Sequence, residues 1–232
     1  MNDWIAKDEL QYIQMNTHES MRVEENFRHY IYKDKYDKAG DTGSYFWQDL
    51  WAAKKIIRDH PKQHYDIGSR VDGFIAHLLA ADIDVTLIDI RPLDLKLDGL
   101  TFVCDDATEM KHIPDESIES ISALCSLEHF GLGRYGDPIN PDACYQCFDS
   151  IQKKVKSGGN IYLSVPIGLE HLEFNAQRIF FARTIVELFD SCILKEFSCA
   201  NRVFEKDVPL NKYNEDINYG GIRFGLFWFE KK

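Results

Sequence analysis

The chain has 232 residues, 44% of them hydrophobic and 28% charged, enough for the core of one large domain with decorations. Its formal net charge of -11 argues against a phosphate-backbone binder, whose affinity would come from lysine and arginine, so no nucleic-acid partner is expected. No apolar run approaches the roughly 20 residues of a bilayer span, and "MNDWIAKDEL" lacks the basic and apolar regions of a signal peptide, so the expectation is a cytoplasmic protein with no membrane partner.

Residues 1–60 read as a polar, aromatic, helical extension. Its clearest piece is "SYFWQDLWAAKKIIRDHP", where Phe46, Leu50, Ala53 and Ile57 recur at helical spacing and Trp47 and Trp51 widen the stripe. Ser44 is placed to cap this helix and Pro61 lies just past its end. The stripe is either core or a lid over a ligand. Before it, the charged, glycine-containing "YKDKYDKAGDTGS" reads as a connector.

Residues 61–232 read as a second domain. "HYDIG" is a short strand, and "VDGFIAHLLAAD" carries Phe74, Leu78 and Ala81 at helical spacing. "DVTLIDI" is a near-continuous apolar strand, as expected where helices cover both faces of a parallel sheet. "LTFVCDD" and "SIESISALCS" follow as strands, then "PDACYQCFDSIQKKVKSGG" as a helix and "NIYLSVPI" as the fifth strand. "RTIVELFDS" reads as helix, "CILKEFSCANRVF" and "GIRFGLFWFEKK" as strands with no helix between them, and these last two are expected to pair antiparallel at an edge. The alternation predicts a doubly wound, mostly parallel α/β sheet, in which ligands bind at the carboxyl ends of the strands.

The residues falling at those ends are polar. Gly68, Ser69 and Arg70 follow the first strand, Asp89 ends the second, and Asp105 and Asp106 close the third. "SLEHFGLGRYGD" follows the fourth and "PIGLEHLEFNAQR" the fifth. Asp89 lies 21 residues after Gly68, close to the spacing of about 20 at which an acid meets a nucleotide's ribose hydroxyls. It is equally placed to cap a turn with Arg91, and Asp106 either caps its own turn or accepts a bond from an adenine amino group. Arg70 stands where a nucleotide loop usually has its second glycine. His129 in "LEHF" is the candidate general base, with Glu128 beside it. Arg134, Tyr135 and Asp137 in one loop, and Asn175, Gln177 and Arg178 in the next, are either hydrogen-bonding groups for a hydroxylated acceptor or solvated loop polarity.

The cysteines and histidines point to no metal. Cys104 and Cys125 sit in apolar runs and read as buried hydrophobes. Cys144 and Cys147 form a lone C-x-x-C on a helix, read as packing, and Pro61 separates His60 from His64.

"DIGSRVDG", "LIDIR", "VCDDATEMKHIPDESIESI" and "VKSGGNIYLSVP" resemble the successive motifs of class I S-adenosylmethionine-dependent methyltransferases, over roughly residues 63–232. "SRVDGF", "LEHFGLGRYGD" and "EFNAQRIF" resemble, more narrowly, an uncharacterised domain-of-unknown-function group of such proteins in bacteria and nematodes. The resemblance implies a seven-stranded Rossmann-like sheet with an antiparallel edge strand, and S-adenosylmethionine as cofactor. It places Asp66 and Gly68, with Ser69 and Arg70, in the loop facing the methionine part, Asp89 at the ribose and Asp106 at the adenine. Arg70 departs from the family's glycine. It pairs with the cofactor's carboxylate or with an acid such as Asp72, or it blocks the pocket. Bacterial members of the group often accompany cell-surface glycan genes, which implies a small-molecule acceptor such as a sugar or glycan precursor. The alternative is a non-catalytic scaffold or ligand sensor of the same fold, and a homodimer is left open.

Overall fold

The computed structural model describes residues 3–40, 42–218 and 221–232; Asp41, within the expected connector, lies outside them. The chain divides into two compact units, Met1–Asp41 and Thr42–Lys232. In the first, α1 (Asp3–Met15) is followed by three single 3-10 turns. Polar contacts tie it together: Arg28 and Tyr30 donate to Glu9 at 2.6 and 2.7 Å, and the Lys35 ammonium, paired with Asp8, lies 4.4 Å from the Trp4 ring centroid.

The first element of the second unit is α2 (Ser44–Asp59), and the unit contains ten strands among the described residues. They are β1 (His64–Ile67), β2 (Val85–Asp89), β3 (Leu100–Cys104), β4 (Ile118–Leu124), β5 (Val155–Pro166), β6 (His171–Glu173), β7 (Gln177–Ile179), β8 (Cys192–Ala200), β9 (Phe204–Glu205) and β10 (Phe224–Lys231). Eight of them form one sheet in the order β3-β2-β1-β4-β5-β10-β8-β9. The first five named strands of the sheet run parallel, and β10 runs antiparallel to both of its neighbours, β5 and β8. The sheet is thus the expected seven strands plus the two-residue β9. Its long antiparallel strand lies two places inside the margin, because β8 and β9 pack outside it. A hairpin, β6–β7, follows β5 in a segment that read as loop.

Helices cover both faces. On one side α4 (Ala143–Lys154) and α5 (Ala182–Leu188) contribute Cys144, Cys147, Phe148, Ile151 and Ile185 to a core shared with Ile121, Leu163 and Phe227. On the other, α2 and α3 (Ala76–Leu79) pack Trp51, Ala52, Ile56 and Leu78 against Val85, Tyr162 and Leu226. A two-sided burial of this kind makes the central strands nearly continuously apolar, as Val85–Ile88 are but for Thr86.

Three local expectations need correction. The buried face of α2 is Gln48, Trp51, Ala52, Ala53 and Ile56, whereas Phe46 and Ile57 are 48% and 38% exposed, so the stripe is turned by about one residue, or 100°. Gly43, not Ser44, occupies the cap position; the Ser44 hydroxyl instead donates to the Ile222 carbonyl at 3.2 Å. Cys104 is exposed because β3 forms the sheet margin. No helix among the described residues is long and apolar enough to cross a membrane.

Candidate functional site

A cavity of about 810 Å³ opens at the carboxyl ends of β1, β2, β3 and β4. Its size is that of a small-molecule site. α2 supplies part of the wall through Tyr45, Gln48 and Asp49. Burial pushes the Tyr45 phenol up to about 12, so it stays protonated and available as a donor.

The loop after β1 is fixed from below. Asp66 is fully buried; its Oδ1 accepts from the Ser69 N–H at 3.0 Å and its Oδ2 from the Ser122 hydroxyl. His64 stands behind, bonded through its two ring nitrogens to Ser120 and Ser122 at 2.8 Å each. Burial pushes Asp66 up to about 6 and His64 down to about 3. Asp66 does not line the cavity; it holds Ser69 in place. Gly68 takes φ +76°, and a Cβ there would stand 2.9 Å from Ser126 Cβ, so only glycine lets the turn pass this close to the end of β4. Arg70 lies at the rim with its side chain 80% exposed and makes a bidentate pair with Asp72 at 2.9 and 2.6 Å. The pair with Asp72 accounts for both of its donating groups.

Asp89 lines the cavity, and both of its oxygens are engaged by Arg91, at 2.9 Å from Nε and 2.5 Å from Nη2. Asp89 thus makes the turn contact with Arg91 and also faces the cavity. Asp106 also lines the cavity while its Oδ1 caps the Thr108 N–H at 2.9 Å. Asp105 was not singled out for ligand binding, yet its Oδ2 is a buried oxygen with no partner, as is the Ser69 Oγ. Both residues line the cavity. The signal in the sequence was the doubled acid, since neighbouring residues at a strand end point opposite ways.

After β4 the chain makes a single 3-10 turn, Leu127–His129. His129 lines the cavity; its Nδ1 is 2.6 Å from the Ala176 carbonyl, which only accepts, and 3.3 Å from Arg134 Nη1, which only donates, and the much shorter contact places the hydrogen on Nδ1 and leaves Nε2 its lone pair. Burial lowers His129 to about 4. Glu128 is 1% exposed and lies behind the wall, its Oε1 3.6 Å from His129 Nε2 and its Oε2 without a partner. Burial pushes Glu128 up to about 8, so it is protonated at neutral pH and able to donate.

The remaining polar residues separate into two groups. Arg134 and Tyr135 line the cavity, as do Asp137 and Gln177. Asp137 is committed to its own loop, accepting from the N–H groups of Gly131, Gly133 and Tyr135 at 2.7, 3.3 and 3.2 Å. Asn175 is exposed at the tip of the β6–β7 hairpin and Arg178 is 8% exposed; neither lines the cavity. The Arg178 guanidinium donates to the carbonyls of Glu128, Phe130 and Pro141 at 3.3, 2.7 and 3.2 Å, clamping the loop that carries His129.

Residues 101–201 match a family model described as a Caenorhabditis protein of unknown function, DUF268. No curated protein matches the chain. Among solved structures, the chain is similar to the Burkholderia thailandensis 1,6-didemethyltoxoflavin-N1-methyltransferase with bound 1,6-didemethyltoxoflavin and S-adenosylhomocysteine, at 17% identity, covering 83% of this chain and 80% of that one, with a TM-score of 0.59. A TehB-like methyltransferase dependent on S-adenosylmethionine, from Corynebacterium glutamicum, is 13% identical over 80% of this chain and 88% of its own, with a TM-score of 0.52. The [4+2]-cyclase SpnF is 14% identical over 83% and 85%, with a TM-score of 0.57. The chain has the fold of class I S-adenosylmethionine-dependent methyltransferases, and one of these neighbours is described as a cyclase, so the fold by itself does not name a reaction.

Proposed function

We propose that the protein is a methyltransferase that uses S-adenosylmethionine and methylates a hydroxyl group of a small acceptor, of the kind found in sugars and glycan precursors. The observation that carries this reading is the convergence of Gly68, Ser69, Asp89, Asp105, Asp106 and His129 on one cavity at the strand ends. The residues suit the cofactor: a glycine turn open to close approach, an acid for the ribose at Asp89, and two buried polar atoms, Ser69 Oγ and Asp105 Oδ2, that lack partners among the described residues. When bound, S-adenosylmethionine would supply an electrophilic methyl group on a sulfonium.

The chain's own part is alignment and proton removal. His129 Nε2 would accept the acceptor's hydroxyl proton. Nδ1 stays fixed on the Ala176 carbonyl, which holds the ring's orientation. His129 would carry that proton as a cation, and the positive charge that S-adenosylmethionine brings and would give up with its methyl group would leave the cavity's total charge unchanged. Calorimetric titration with S-adenosylmethionine and S-adenosylhomocysteine tests the reading; absence of binding to both would overturn it. A second reading, a non-catalytic ligand sensor of the same fold, draws support from Arg91, which engages both oxygens of the acid expected at the ribose. Binding of the nucleoside without turnover on any hydroxylated acceptor would favour it.

A further inference from the structure

Three guanidinium groups line the cavity, those of Arg70, Arg91 and Arg134. Arg70 is paired with Asp72 and Arg91 with Asp89. Arg134 is different. Among the described residues it has no carboxylate partner; its Nη1 donates to the Ala176 carbonyl at 3.0 Å and lies 3.3 Å from His129 Nδ1, and its Nε and Nη2 have no acceptor. Its guanidinium carbon lies 5.2 Å from the Tyr135 ring centroid, and that of Arg91 lies 4.7 Å from the same centroid. The His129 ring meets Tyr135 edge-on at 5.6 Å. One tyrosine thus gathers two guanidiniums next to the candidate base. The carboxylates of Asp49, Asp72, Asp89, Asp105, Asp106 and Asp137 make the cavity acidic as a whole. A second negative charge is favoured only locally, where Asp137 is already satisfied by backbone N–H groups and Arg134 is not.

We propose that Arg134 and Arg91, held on Tyr135, form an anion subsite, and that the methyl acceptor carries a carboxylate or phosphate beside the hydroxyl that is methylated. The assignment of the anion to an acceptor rests on the methyltransferase reading; the subsite itself does not. Two parallel N–H groups of a guanidinium match either anion. Arg134 is open to an anion without the nucleoside, and Arg91 joins it once the ribose hydroxyls take the Asp89 carboxylate. Nucleoside binding frees Arg91 for the anion, and by linkage the anion must strengthen nucleoside binding by the same factor.

The test is calorimetric titration of the full chain with S-adenosylhomocysteine in chloride, inorganic phosphate and acetate buffers matched in ionic strength. Phosphate or acetate is expected to tighten binding by about fivefold or more, and the better anion identifies the acidic group. The gain should vanish in Arg134→Gln and in Arg91→Gln. An affinity that is unchanged or weakened in both anions, or a gain that survives in Arg134→Gln, overturns the proposal. Broadening of the phosphate 31P resonance by the protein, lost in Arg134→Gln, reports the subsite without any nucleoside. Failure to bind S-adenosylhomocysteine with that broadening intact overturns the methyltransferase reading and keeps the subsite; loss of the broadening overturns the subsite.

Discussion

Gly68 must both hold a positive φ and admit Ser126 at a distance that no Cβ tolerates. Gly68→Ala is therefore expected to cost at least about 1–2 kcal/mol from backbone strain alone and to weaken nucleoside binding, read by urea unfolding and calorimetry on one preparation. Asp89 makes a different case, since its pair with Arg91 is partly exposed and contributes little to stability. Asp89→Ala should unfold close to wild type yet bind S-adenosylhomocysteine at least about tenfold more weakly, one lost charge-assisted bond being enough. Unchanged affinity in that folded variant would remove the ribose assignment. His129→Gln keeps a hydrogen bond to Ala176 but cannot accept a proton. Nucleoside affinity should stay within a few fold while turnover falls by about 10²–10⁴; turnover near wild type would show that another group or solvent takes the proton.

At the scale of elements, the β6–β7 hairpin positions the site without entering it. Arg178 on β7 reaches across to three carbonyls of the loop 128–141. Arg178→Met leaves those carbonyls without their charged donor, at a cost of about 1.5–3 kcal/mol, or a Tm lower by roughly 3–12 °C. Amide exchange should quicken in 128–141 ahead of the sheet; uniform exchange would deny the hairpin its clamping part. None of this was visible in "PIGLEHLEFNAQR", because β6 and β7 are three residues each, too short to show a period, and β6 is exposed along its length. The central strands were legible for the opposite reason. Val85–Ile88 are buried on both faces, so the run is apolar but for Thr86. Asp89 and Asp106 could be placed at strand ends by counting, but their partners could not: the Arg91 pair depends on side-chain direction, and Asp105 emerges as the unpartnered acid only once packing decides which neighbour turns inward. The buried face of α2 was misjudged by one residue because apolar side chains occupy adjacent stripes of that helix.

For the whole molecule, buried titratable groups shape stability against pH. Glu128 and Asp66 hold their protons in the fold up to about 8 and about 6, above their ordinary values near 4.5 and 3.8. Their stabilising contribution is complete below those ordinary values and is lost as pH rises through the folded ones. His64 and His129, lowered to about 3 and about 4 from 6.5, act in the other sense: their contribution is present above pH 6.5 and is lost on acidification. The two sets oppose each other between pH 4.5 and 6.5, and above that Glu128 dominates. Stability should fall by about 2 kcal/mol between pH 6.5 and 8, and Glu128→Gln should flatten that limb. Urea midpoints at three pH values decide it, and an equal fall in the variant would place the proton elsewhere. The position of β10 acts on another clock, that of synthesis. Phe224–Lys231 fills the gap between β5 and β8 along its full length, yet both neighbours leave the ribosome before it does. At about 5–20 residues per second, the nascent chain carries two open strand ladders for one to several seconds. During that interval any other extended segment can occupy the gap, and a chaperone that delays such pairing has its largest effect there.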